Sequence, residues 1–130
     1  MEWYRRALGA EEVSRVVLPG DRVMSLHMEV AGSAVMLASE FPDAGILAPG
    51  SIGGTASVLQ VYVDDVDARW AQALDAGAIE RSALHDAFWG DRHGSLVDPF
   101  GHRWNLARHD RDVPPEEVAA AAAEYLGGGS

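Results

Sequence analysis

Residues 88–104, FWGDRHGSLVDPFGHRW, gather four Phe and Trp rings, two His, two Asp and three Gly into one short segment. His93 and His102 with Asp91 and Asp98 are the side-chain types that hold a divalent ion. The same residues serve equally well as polar punctuation between two strands. A second pairing lies upstream, where His27 and Glu29 are separated by one residue. A carboxylate that orients an imidazole makes a general base, and a purely structural polar pair has the same spelling. Cys is absent, which removes the thiolate nucleophile, the disulfide and the Cys-ligated zinc site.

The elements that must position these residues read as follows. Residues 2–8 form a short helix with Trp3, Tyr4, Ala7 and Leu8 on one side and Gly9 as its stop. Extended segments follow at 11–18, 22–30 and 33–39, separated by PGD and AG turns. A Gly/Pro-rich linker occupies 41–56. Beyond it come a Val-rich strand at 57–66, an Asp-capped helix at 65–78, and extended pieces at 79–88, 94–98 and 102–108. An Ala-rich helix at 113–126 and a flexible tail at 127–130 close the chain.

The two halves repeat at a spacing of about 68 residues. Trp3–Ala10 matches Trp70–Ala78, and the segment from Gly32 to Ala38 matches that from Gly101 to Ala107. The second module (about 57–109) reads strand, helix, three strands, whereas the first (about 1–40) reads helix, three strands. The first module's opening strand would lie before Met1. Either the chain continues upstream, or a partner or the C-terminal segment supplies that strand, since an unpaired strand edge is a liability.

The phrases WYRRALGAEE, MSLHMEVAGSAVMLASEFP, VYVDDVDA and FWGDRHGSLVDPFGHRWNLA resemble the PhnB-like branch of the vicinal oxygen chelate superfamily, which includes glyoxalase I, bleomycin-resistance proteins and extradiol dioxygenases. The similarity runs from residue 2 to about residue 117 and implies an α+β fold of two tandem βαβββ modules, here with an extra C-terminal helix. Metal enzymes of the superfamily carry one ligand on the first and last strand of each module. The readable positions correspond to Met36, Val58 and Asn105, which offer a thioether, an alkyl group and a neutral amide. That set lacks the carboxylates that would balance a divalent charge, so no metal and no other cofactor is expected. A divalent metal stays open as the alternative.

In the resembled family the sheets curl so that one face holds the ligand and the other carries the helices. Strand alternation then assigns the inward residues. His27, Glu29 and Met36 fall to the first module's pocket face, with Ser25 beside them. Gln60, Tyr62, Arg103 and Asn105 fall to the second, while Trp104 and Leu106 meet the helices. Phe88 and Trp89 either stack on a flat ligand or plug the end of the sheet. His93 and His102 are expected at or beside turns, at the rim of the sheet, and Asp91 as a cap on turn amides.

The resulting expectation is a small-molecule-binding protein of the glyoxalase/bleomycin-resistance type that sequesters an aromatic or cationic compound without metal. A metal-dependent isomerase, lyase or extradiol dioxygenase and a ligand-free dimeric interaction domain are the alternatives. The net charge of −10, with all ten basic residues Arg, disfavours nucleic acid and anionic membrane and favours cationic ligands. No apolar run reaches membrane-spanning length and no signal peptide is legible at the N-terminus, so the expected setting is cytoplasmic. A homodimer is the family expectation.

Overall fold

The computed structural model describes residues 1–128. Helix α1 (Glu2–Leu8) ends where Gly9 adopts φ 65°. Strands β1 (Glu11–Leu18), β2 (Arg22–Val30) and β3 (Ser33–Leu37) then form an antiparallel sheet in that order. Strand β4 (Val58–Tyr62), helix α3 (Val66–Asp75) and strands β5 (Ile79–Asp86), β6 (Asp91–Val97) and β7 (Arg103–His109) build the second module. Its sheet runs β4-β7-β6-β5, with β4 parallel to β7.

The registers reproduce the repeat read from the sequence. Ser14 pairs with His27 and His27 with Met36, as Ser82 pairs with Ser95 and Ser95 with Asn105. Even the irregularity recurs, between Glu12 and Ser14 in β1 and between Glu80 and Ser82 in β5. What module two has and module one lacks is a strand on the outer edge of β3. Among the described residues no strand pairs with that edge, and the C-terminal segment, being helical, does not supply one.

Both modules share one core. Trp3, Tyr4, Ala7 and Leu8 of α1 and Val66, Trp70 and Ala73 of α3 are buried against Leu26, Met28 and Val30 of β2 and Leu96, Trp104 and Leu106 of β6 and β7. Such burial of large apolar side chains, at about 1.5–3 kcal/mol each, is the main force joining helices to sheets. Two polar ties fix the modules to each other. The Trp3 indole donates to the Ala76 carbonyl at 2.9 Å, and the Tyr4 hydroxyl donates to Asp98 at 2.6 Å.

The segment between the modules is more ordered than a linker. It holds a 3-10 turn at Pro42–Ala44 and helix α2 (Pro49–Ile52), whose buried Pro49 packs beneath Gly101. Helix α4 (Pro115–Gly128) sets Val118, Ala121 and Ala122 half-buried on one side. The remainder of the expected tail, residues 129 and 130, lies outside the described residues.

Candidate functional site

Strand alternation places Gln60 and Tyr62 of β4, Arg103, Asn105 and His109 of β7, and Asp91, His93 and Ser95 of β6 on the face opposite the helices. Six of these side chains, all but Arg103 and His93, form a continuous hydrogen-bonded chain across three strands. Ser95 Oγ donates to Asn105 Oδ1 at 2.7 Å, and Asn105 Nδ2 lies 3.4 Å from Gln60 Oε1. Gln60 Nε2 donates to Tyr62 Oη at 3.0 Å, and Tyr62 Oη donates to Asp91 Oδ2 at 2.8 Å.

Asp91 is the hub, at 4% exposure. Besides Tyr62 it accepts the Trp89 indole at 3.2 Å, and His109 Nδ1 lies 2.9 Å from its other oxygen. Burial pushes the Asp91 carboxyl up, but the bonds from His109, Tyr62 and Trp89 outweigh it and hold the group below the usual carboxylate range. His109 is drawn the other way. Its Nδ1 faces Asp91 and its Nε2 faces Asp112 at 2.6 Å, and these carboxylates raise it above the ordinary imidazole value. Above the hub, Trp89 meets His93 edge-on at 5.1 Å, and His93 meets His85 at 6.3 Å. Burial, followed by the neighbouring His85, holds His93 below the ordinary imidazole range, so it is neutral at pH 7.

Asp91 and His93 correct the sequence expectation. Asp91 does not cap turn amides, and His93 is not at a turn, because β6 starts at Asp91 and the turn before it closes at Gly90. Ala87 N–H donates to the Asp91 carbonyl at 2.7 Å, which sets that boundary. Gly94 lies mid-strand, where a Cβ would come within 2.7 Å of the Trp70 ring of α3. No sequence signal marked Asp91 as the hub, since its donors Tyr62 and His109 come from other strands.

The remaining expected residues divide. Gln60, Tyr62, Trp89 and Asn105 are joined in the chain just described, and Arg103 stands one step along the same face of β7. Phe88 turns toward α4, its ring 4.9 Å from Trp89 and 6.0 Å from Tyr125. His27, Glu29 and Met36 lie on the equivalent face of the first sheet, His27 opposite Met36. No His27–Glu29 hydrogen bond forms, and His27 Nε2 is buried without a partner.

Asp98 and His102 belong to the fold instead. Asp98 is buried and accepts Tyr4, the Trp104 indole, and the backbone N–H groups of Phe100 and His102. Burial first, then Asp98, pushes the Tyr4 hydroxyl far above its ordinary range. A cavity of about 320 Å³ opens beside it, walled by Leu26, Leu37 and Phe100 with Glu40 and His102. Two of its polar groups are engaged by the scaffold: Tyr4 on Asp98, and Glu40 on the Ala48 N–H at 2.8 Å.

A family profile described as the Glyoxalase/Bleomycin resistance protein/Dioxygenase superfamily matches residues 1–106. The chain belongs to that superfamily. A Mycobacterium bovis relative, Mb0911c, is 38% identical over 124 residues, spanning 93% of this chain and 82% of that protein. Among solved structures, TioX from Micromonospora sp. ML1 superposes with a TM-score of 0.64 at 25% identity over 87% of each chain. TnmS3 from Streptomyces sp. CB03234, described as an antibiotic binding protein, gives 0.62 at 20% identity over 84% of this chain and 83% of its own.

A metal of the superfamily type does not fit the residues present. Met36 and Val58 bring no oxygen or nitrogen donor, and the Asn105 amide is engaged by Ser95 and Gln60. Among the described residues no three His, Asp or Glu side chains converge to hold an ion.

Proposed function

We propose that this superfamily member is a small-molecule-binding protein of the PhnB-like branch that sequesters an aromatic or cationic compound without using a metal. The carrying observation is the face just described, where a preorganised polar chain passes through Tyr62 beside the rings of Trp89 and His93. Fixed hydrogen bonds at a site's floor with aromatic walls are the composition of small-molecule sites. A protein of the same fold, TnmS3, carries the description of an antibiotic binder, which supports this use of the scaffold.

Pairing of two copies completes the proposal, with the protein acting in the cytoplasm. Val13, Val16 and Val17 on β1 and Ile79 on β5 are exposed on the two outer strands, where a second copy would cover them. Among the described residues no helix is long and apolar enough to cross a membrane.

Thermal-shift screening of purified protein tests the reading, using bleomycin and planar aromatic compounds against nickel, zinc, manganese and iron(II). Stabilisation by an aromatic compound that is lost in Tyr62→Ala and Trp89→Ala is the expected result. Stoichiometric bound metal on elemental analysis, or stabilisation by the ions alone, would overturn it.

A further inference from the structure

We propose that the face of the second sheet opposite the helices selects a planar aromatic ligand that carries an anionic or carbonyl oxygen, received by the free N–H groups of Gln60, Asn105 and Arg103. The inference rests on the binding function proposed above and narrows its ligand class from aromatic or cationic to aromatic and oxygen-bearing.

The argument starts from one fixed end. An ionised carboxylate only accepts hydrogen bonds, so the Tyr62 hydroxyl must spend its single proton on Asp91. The Tyr62 oxygen is then an acceptor, and Gln60 must present its amide N–H to it. That orientation turns the Gln60 carbonyl toward Asn105, which must therefore donate as well. The Asn105 carbonyl is in turn left to accept the Ser95 hydroxyl. Each amide rotamer is set by the one before it, and the direction of the whole chain is set by Asp91.

What is left over is directional too. Among the described residues each amide keeps one N–H with no protein partner, and Arg103 has no ion pair or side-chain hydrogen bond. Arg103 is flanked across the sheet by Val58 of β4 and Val97 of β6, neither of which offers it a polar partner. On that face of β4, β6 and β7 the one carboxylate is Asp91, which is buried and already accepts three groups. A cationic group arriving at the Arg103 end would meet like charge and N–H groups, with the Ser95 lone pairs as the acceptor there. A carboxylate, phenolate or carbonyl oxygen meets donors from two strands, including a guanidinium suited to bidentate pairing. About 13 Å of strand separates the Arg103 row from the Ala107 row, which holds Tyr62 and the His93 against which Trp89 packs. A ligand anchored at the first end therefore reaches Tyr62 and Trp89 with its rings.

The test uses the intact protein and one ring system in two charge states, anthracene-9-carboxylate and anthracen-9-ylmethylammonium, measured by isothermal titration calorimetry at 150 mM salt. The carboxylate is expected to bind at least about tenfold more tightly, and Arg103→Met to abolish that preference. Gln60→Leu, on the exposed edge strand, is expected to weaken the carboxylate in the same direction and gives an independent reading should Arg103→Met misfold. Equal or tighter binding of the ammonium, or a preference that survives both substitutions, would overturn the inference while leaving the binding function standing. Binding of neither compound would overturn both.

Discussion

Asp91 is the residue on which the candidate site turns, because three side-chain donors meet on its buried carboxylate. Asp91→Asn removes the charge but keeps the shape, and is expected to destabilise the fold by about 1–3 kcal/mol in urea unfolding. The same substitution should return the His109 titration, followed by NMR, toward its ordinary 6.5. His109 carries its own pH signature. Its protonated form is favoured in the folded state, so its contribution is full below 6.5 and is lost as pH rises through the higher folded value. Melting curves of the wild type and His109→Gln should therefore differ most below pH 6.5 and converge above it. A difference that grows with rising pH would contradict the assignment. At this scale the sequence was only partly legible. Strand parity placed Gln60, Tyr62, Arg103 and Asn105 on one face, but nothing local in DRH reveals that Asp91 will meet Tyr62 and His109 from other strands.

At the scale of elements, the repeat carried most of the information. Alternation of apolar residues assigned β2, β4 and β7 their helix-facing sides, as the burial of Met28, Val61 and Trp104 shows. The start of β6 was not legible, because two glycines flank DRH and only tertiary packing distinguishes them. Gly90 closes the turn at φ 100°, whereas Gly94 makes room for the Trp70 ring of α3. Gly94→Ala is accordingly expected to lose about 1–3 kcal/mol by overpacking. A change below about 0.5 kcal/mol, the usual range for an unconstrained surface position, would mean that α3 does not seat on β6 as described. The Gly/Pro-rich stretch at 41–56 reads as a linker, yet it folds back through Glu40–Ala48 and Pro49–Gly101, contacts with no periodic signature.

For the whole molecule, the superfamily fold follows from two modules joined through a single core. Tyr4 of the first module bonds Asp98 of the second inside that core. Tyr4→Phe should lower stability by about 1–3 kcal/mol while unfolding stays a single transition, because both modules share the same buried residues. Two separate transitions would show that the modules fold independently. Sedimentation at micromolar concentration should report a dimer, and a monomer would contradict the proposed pairing. The central claim is that the helix-free face of the second sheet, and not the apolar cavity beside Tyr4, is where the ligand binds. Side-chain amide and indole resonances report on that directly in a ¹H–¹⁵N titration with anthracene-9-carboxylate. Saturable shifts of the Gln60 and Asn105 amides and the Trp89 indole are the predicted result. Shifts confined to the surroundings of Tyr4, Leu37 and His102, with the Gln60 and Asn105 amides unmoved, would contradict it.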